Sequence, residues 1–315
     1  MKLSKIAEIT GDVFLGEDVE IHGLTDHFEY SNRIVSIYDI NNIPKDSFKY
    51  GAILTRNNLK EVFKGSNLLI SENPRLSFAK LTKIFIETEG ITDGELENTL
   101  VSVGCNVQIG KNFNHGRNVV IENNVKLGNN VSIGHNVVIH KNTIIGNNVI
   151  IGSGTIIGSE GFGNVLDDKN DWHHIHHLGG VIIGDNVSID SNCTIDKGTI
   201  DNTIIESGVI IDNLVHIAHN VFIGKNTAIA AKVGIAGSCN IGKRNMIGGM
   251  VGIVDHITTA NDVIISATST VNKDIMESGR YTGIIPISKH SSWKRIAFWI
   301  TKLDKIVKKF NIKKI

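Results

Sequence analysis

The chain has 315 residues, with 32 Lys plus Arg set against 32 Asp plus Glu, so its formal net charge is zero. That balance argues against a nucleic-acid binder held by bulk charge. The length is enough for a large core and more than one domain.

Residues 1–95 read as a small α/β domain. Ser4–Ile9 has the look of a short helix, and Val19–Leu24, Ala52–Thr55 and Asn67–Ile70 look like strands. Pro74 opens a helix that places Leu76, Phe78, Leu81, Ile84 and Phe85 on one face. Glu87–Leu100 is acidic, contains Gly and has no period, so it reads as a linker. Residues 1–20 carry charges throughout without an apolar stretch of leader type, and no run approaches the ~20 apolar residues of a membrane span.

From residue 100 to 275 a six-residue repeat takes over. An apolar residue, usually Ile, recurs at Val103, Ile109, Ile121, Leu127 and every sixth position to Ile157. The series resumes at Ile183–Ile195 and again from Ile205 to Ile253, often with Gly after the Ile and Val, Thr or Cys two before it. Six residues do not fit a helical turn of 3.6; Val, Ile and Thr punctuated by Gly and Asn read as very short strands and turns. Each strand sends one side chain inward, and Gly or Asn tolerates left-handed backbone at the corners. A solenoid satisfies this pattern. Two breaks interrupt it. The first follows Ile157 and holds Gly161-Phe162-Gly163 and a polar loop with Trp172, His173, His174, His176 and His177. The second adds four residues between Ile195 and Ile205.

The period fades after Ile265, and Glu277–Ser292 reads as irregular. Ile296, Trp299, Ile300, Leu303, Val307 and Phe310 then follow helical spacing. Residues 276–315 are therefore a C-terminal extension with an amphipathic helix. From Lys289 onward it holds nine Lys or Arg and one acid, Asp304, or about +8. So uneven a charge favours an acidic partner. Three cysteines make no disulfide framework, and Cys193 and Cys239 fall on repeat positions, so a reducing cytoplasm is the expected compartment.

Stacking arithmetic picks out one constellation. His219 and Gly237 each lie two residues beyond an Ile and 18 apart, and His256 lies three beyond Ile253. If three hexapeptides make one coil, these residues fall on one face, spread over roughly 10 Å at a strand spacing of ~4.8 Å. Two imidazoles flanking a Gly backbone N–H suit a general base and a donor to a developing oxyanion. His173 and His177 have i, i+4 spacing, but no carboxylate or Cys pattern completes a zinc site, so no metal is expected there. His115, His135 and His140 read as structural.

The six-residue pattern resembles the left-handed parallel β-helix of the hexapeptide-repeat acyltransferases. More specific motifs are Ile210-Ile211-Asp212-Asn213, Ile217-Ala218-His219-Asn220, Ala236-Gly237-Ser238 and Met246-Ile247-Gly248-Gly249. With Gly158-Ser159-Glu160-Gly161-Phe162-Gly163, Asn73-Pro74-Arg75 and Trp293-Lys294-Arg295, they resemble the UDP-3-O-(3-hydroxyacyl)glucosamine N-acyltransferases of lipid A synthesis. The resemblance implies a homotrimer that takes a 3-hydroxyacyl group from acyl carrier protein and places it on the 2-amine of a UDP-acylglucosamine. No resident cofactor is implied, since 4′-phosphopantetheine arrives on the carrier. His219 would be the general base, Gly237 the oxyanion donor, His256 a second active-site His, and Asp212 an orienting group. Within one chain, however, Asp212 belongs to a different strand from His219. Tyr38 and Asn41 are the nearest match to the residues that hold uracil, although one expected Tyr is missing. Lys294, Arg295 and Lys302 would meet the acidic carrier. Acyl length would be selected around Thr268–Thr270, where this chain has small polar residues.

Other readings stay open from the sequence. The substrate could be another nucleotide-linked amino sugar. A zinc enzyme of the γ-carbonic-anhydrase kind shares the β-helix, and a non-catalytic scaffold would have no need of His219.

Overall fold

A computed structural model of the chain describes residues 1–25, 32–36, 51–88, 100–283, 287–303 and 309. They fall into two compact units, Met1–Leu96 and Glu97–Ile315.

The first unit is a five-stranded sheet with two helices. Helix α1 (Leu3–Thr10) buries Leu3, Ile6, Ala7 and Thr10, the i, i+3, i+4, i+7 face of an amphipathic helix, and ends at Gly11 in the left-handed conformation. Strands β1 (Val13–Leu15), β2 (Gly23–Thr25), β3 (Arg33–Ser36), β4 (Ala52–Thr55) and β5 (Leu68–Ile70) line up as β1-β5-β4-β3-β2, parallel except for the β1–β5 pair. Helix α2 (Pro74–Thr88) buries Leu81 and Phe85 against this sheet. Two strands, β1 and β3, escape a reading based on apolar runs. Each has only three or four residues, and β1 leaves Val13 and Leu15 exposed. The strand expected at Val19–Leu24 is displaced to Gly23–Thr25, with a lone bridge from Lys2 to Glu20 ahead of it.

The second unit is a parallel β-solenoid of the left-handed type, with three faces formed by sheets of seven, nine and nine strands. Most of its strands are two residues long. Each pairs with the strand one full coil further along, as in His216↔Gly234↔Gly252↔Thr270. Inward-pointing Ile and Val form one continuous core from Val119 to Ile275, with Cys193 and Cys239 buried inside it. Burying one such aliphatic side chain contributes about 1.5–3 kcal/mol, so the stack is held mainly by this column.

The corners explain the recurring Asn. Asn106, Asn112, Asn118, Asn124, Asn130 and Asn136 all adopt positive φ near 60°, the region Asn enters more readily than other non-Gly residues. Their side chains also link successive coils: Asn112 Nδ2 donates to Asn130 Oδ1 and Asn130 Nδ2 to Asn148 Oδ1, each at 2.8 Å. The Gly that follows Ile does a different job from the one its sequence position suggests. Gly128 has no left-handed backbone. A Cβ there would stand 2.6 Å from the Gly146 carbonyl, so the Gly permits close approach of adjacent coils.

The first insertion leaves after Ile156–Ser159, forms an antiparallel hairpin (Asn164–Leu166 with Trp172–His174) and rejoins at Val181. The second docks against its return: Leu178 N–H donates to Thr199 O and Gly179 N–H to Gly198 O. Across the first insertion Ile156 therefore pairs with Thr194, and across the second Thr194 pairs with His216. The plain three-hexapeptide step resumes from His216 to Gly234.

The region read as irregular, Glu277–Ser292, contains a strand and the start of a helix. Gly279–Tyr281 pairs with Val263–Ile265, and Tyr281 packs on the solenoid core. Helix α3 spans His290–Ile300, so it begins well before Ile296. None of its residues is buried in the single chain: Trp293, Ile296, Trp299 and Ile300 are exposed, as is Leu303 beyond it. Lys305, Val307 and Phe310 lie outside the described residues. Among the described residues no helix is long and apolar enough to cross a membrane.

Candidate active site

The site grows from one nine-stranded face of the solenoid. Its outward positions are Val120, Val138, Ile156, Thr194, His216, Gly234, Gly252 and Thr270, stacked in register. Bulky side chains clad the early coils. At Gly234 and Gly252 the cladding stops, and a Cβ built at either would meet nothing within 4 Å. The gap is the floor of a cavity of about 630 Å³, walled by Phe162, Asp196, His216, His219, Gly237 and His256. Three residues expected from spacing, His219, Gly237 and His256, are thus brought together.

His219 lies across Gly237. A Cβ at residue 237 would stand 2.6 Å from both Cε1 and Nε2 of the imidazole, which makes Gly the side chain that fits. The coil holds this arrangement from both ends: Ser238 N–H donates to His219 O, and His256 N–H donates to Gly237 O. His256 takes the left-handed corner position (φ 60°) that Asn fills in the early coils, and its ring is exposed at the cavity rim.

Hydrogen bonds fix the tautomer of His219. Asn220 Oδ1 accepts the Thr199 backbone N–H at 3.0 Å and the Thr199 hydroxyl at 3.0 Å, so this atom is the amide oxygen. His219 Nδ1 lies 3.0 Å from the same oxygen and must be the protonated nitrogen. In the neutral ring the lone pair is then on Nε2, on the side against Gly237. The second insertion, through Thr199, therefore sets the chemistry of the first residue in the site. Asn220 is visible in the sequence, but its role depends on contact with Thr199, which lies on the previous coil.

The first insertion supplies the wall behind His219. The Gly161-Phe162-Gly163 turn wraps His177: a Cβ at Gly161 would come within 2.9 Å of both His177 Nε2 and His219, and one at Gly163 within 2.9 Å of His177 Cε1. Phe162 is left 85% exposed on the cavity wall. His177 is buried, its ring centroid 5.1 Å from that of His219. Burial, followed by the proximity of His219, pushes its pKa down, which favours the neutral ring. Asp196 is also buried. Burial raises its pKa, while the Ser159 hydroxyl at 2.7 Å and the nearby rings of His216, His219 and His177 pull it the other way. His216 is held by Thr194 Oγ1 at 2.8 Å, with Nε2 3.7 Å from Asp196. His177 is a site residue that spacing could not find, because the first insertion brings it in. Asp196 and His216 stand on solenoid strands, and His216, 18 residues before Gly234, is within reach of the same stacking arithmetic.

Asp212 is elsewhere. Its carboxylate accepts from Asn213 (2.7 and 2.8 Å) and from Ala231 N–H (3.1 Å), on a different face of the solenoid. Tyr38 and Asn41 lie outside the described residues. Lys294 and Arg295 are exposed on α3, and the Lys302 ammonium sits 5.7 Å from the centre of the Phe298 ring.

Residues 101–141 and 124–159 match the family described as bacterial transferase hexapeptide (six repeats). A UDP-3-O-acylglucosamine N-acyltransferase of Bordetella avium is 48% identical over 148 residues, 46% of this chain and 41% of that protein. One of the same name from Hahella chejuensis is 42% identical over 154 residues, 49% of this chain and 44% of that protein. The chain thus matches about two fifths of the length of these curated relatives. Among solved structures, the UDP-N-acetylglucosamine O-acyltransferase of Moraxella catarrhalis superposes with a TM-score of 0.54 at 25% identity, over 59% of this chain and 70% of that one. The Bacteroides fragilis UDP-N-acetylglucosamine acyltransferase gives 0.52 at 27% identity, over 61% and 73%. The chain therefore carries the bacterial transferase hexapeptide repeat in a left-handed β-helix, and it has homologues among the UDP-3-O-acylglucosamine N-acyltransferases over just under half its length.

Proposed function

We propose that the protein is an N-acyltransferase that moves a 3-hydroxyacyl group from acyl carrier protein to the 2-amine of UDP-3-O-(3-hydroxyacyl)glucosamine, in lipid A synthesis. The observation that carries the reading is His219 lying over Gly237 with its Nε2 lone pair free beside that backbone. The amine nitrogen attacks the thioester carbonyl carbon, and Nε2 takes the proton that the nitrogen sheds. The carbonyl oxygen gains negative charge as the tetrahedral intermediate forms, and the Gly237 N–H donates to it. Collapse breaks the C–S bond, and the proton held by His219 passes to the departing thiolate of phosphopantetheine. His256, at the rim, supports the charge on the intermediate.

The trough over Gly234, Gly252 and Thr270 suits an extended acyl chain, since nothing stands above the two glycines. Tyr38 and Asn41 serve the uracil in this scheme, and Lys294, Arg295 and Lys302 meet the acidic carrier. The active unit is a homotrimer working in the cytoplasm, and Asp212 acts on a neighbouring subunit's site. Names of the curated relatives and the chemistry of the cavity both support the reading.

The test is an assay of purified protein with UDP-3-O-(3-hydroxyacyl)glucosamine and 3-hydroxyacyl carrier proteins of several lengths. Transfer to the amine supports the proposal. Transfer only to a different nucleotide-linked amino sugar redirects it, and absence of transfer to any amine overturns it.

A further inference from the structure

The first insertion brings two imidazoles and a carboxylate to one point outside the catalytic cavity. Glu160 Oε2 lies 2.8 Å from His174 Nε2 and 3.6 Å from His176 Nδ1, and the three atoms all lie within 4.8 Å of one another. A tetrahedral ion bonded at about 2.0–2.2 Å holds its ligand atoms roughly 3.3–3.6 Å apart, so small rotations of exposed side chains meet that requirement.

The remaining atoms of these groups are already held. Lys197, a buried residue, donates from Nζ to Glu160 Oε1 at 3.1 Å and leaves Oε2 to face the rings. His174 Nδ1 lies 3.3 Å from Asn164 Oδ1, the partner that orients a ring whose Nε2 is a ligand. His174 ends the second hairpin strand, opposite Asn164, and His176 follows two places later. Residues i and i+2 of an extended segment share a side. Helical i, i+4 spacing instead singles out His173 and His177. Of these, His173 pairs with Asp167 at 2.8 Å and His177 is buried against His219. The carboxylate missing from the sequence pattern is Glu160, which stands on the opposite limb of the insertion from His174.

We propose that Glu160, His174 and His176 bind a divalent transition-metal ion, with Zn²⁺ as the ion of choice, leaving its fourth position open to solvent. Two imidazole nitrogens and one carboxylate oxygen suit zinc, and a three-ligand set is open by construction. The ion would tie together the two ends of the insertion, because Glu160 precedes the Gly161-Phe162 turn and His176 precedes His177. It would thereby brace the wall behind His219 without touching substrate.

The test uses full-length protein freed of metal by chelator. Calorimetric titration with Zn²⁺ is expected to give one equivalent per chain, and Co²⁺ is expected to produce the visible absorption of a tetrahedral site. His174→Ala with His176→Ala should abolish both signals, and His173→Ala should preserve them. The two exposed histidines can be truncated without disturbing the core, which circular dichroism checks. Absence of stoichiometric uptake overturns the proposal, as does uptake unchanged in the double variant. Neither readout involves acyl transfer, so the result stands apart from the activity assay.

Discussion

The His219 imidazole and the Gly237 backbone are in contact across adjacent coils, so close that a single methyl group at residue 237 would fall 2.6 Å from Nε2. Gly237 is absent from the left-handed positions, so Ala suits its backbone and only the ring must move. Gly237→Ala keeps the backbone N–H but pushes the His219 ring aside, and should therefore lower kcat by about 10²–10⁴, the range for loss of a general base, with little change in melting temperature. Steady-state kinetics and thermal denaturation check it. An unchanged kcat would mean that the ring yields freely and that its place over Gly237 does not matter to turnover.

His219→Ala should cost roughly 10²–10⁴ in kcat, the range for loss of a general base. The fold should survive, since the ring is at a corner and the core side chain is Ile217. His256→Ala should be milder, because the Gly237 N–H still meets the oxyanion. If the purified His219 variant kept more than half of wild-type kcat, its role as base would be lost.

Asn220→Gly separates orientation from chemistry. Gly tolerates the positive φ of 60° at this residue, so the backbone strain that Ala would introduce is avoided. The substitution removes the acceptor of His219 Nδ1–H and of both Thr199 donors. We expect a loss of about 1–3 kcal/mol of stability from the unsatisfied donors and a fall in kcat with KM little changed. Nitrogen-15 spectra of the imidazole should show mixed tautomers in place of one. An unaltered tautomer would assign the orientation to another group.

Three copies are expected at micromolar concentration, arranged as a closed ring with one patch of each chain on a different patch of the next. The single chain leaves Trp293, Trp299 and Leu303 exposed, and an isolated helix of this length is marginal in water unless something covers its apolar stripe. Sedimentation equilibrium checks this, and a monomer would contradict it.

The basic surface of α3 should steer an acidic carrier by long-range attraction, which salt screens over about 8 Å at physiological ionic strength. Reversing charge at Lys294, Arg295 and Lys302 should raise KM for the carrier-bound donor at low salt, flatten its salt dependence and leave kcat nearly alone. Equal low-salt KM values for the variant and the wild type would reduce the patch to a solvated face.

The solenoid is legible in the sequence because each side chain's fate depends on its place in a six-residue frame. Ile217, Ile235 and Ile253 are buried for the same reason that they are evenly spaced, and so the contact of His219 with Gly237 follows from the spacing. What lies beyond deduction comes from chain outside that frame. His177 and Thr199 reach the site through insertions whose docking rests on Gly179 and Gly198 meeting backbone to backbone, an encounter no period encodes. The start of α3 escapes the helical spacing because its first turn, His290-Ser291-Ser292-Trp293, carries few apolar residues from which to read a stripe.

A stack in which every rung hydrogen-bonds to the one a full coil further along is indifferent to its own length. Asn124–Lys141 makes one full circuit, and Asn142 repeats the left-handed bend of Asn124. Excising that circuit would join Asn123 to Asn142 with the bend, the inward Ile column and the Asn ladder all matched, shortening the prism by about 4.8 Å. The prism is thus a spacer whose height can be edited in whole rungs, while the rungs that bear His219 and Gly237 stay as they are.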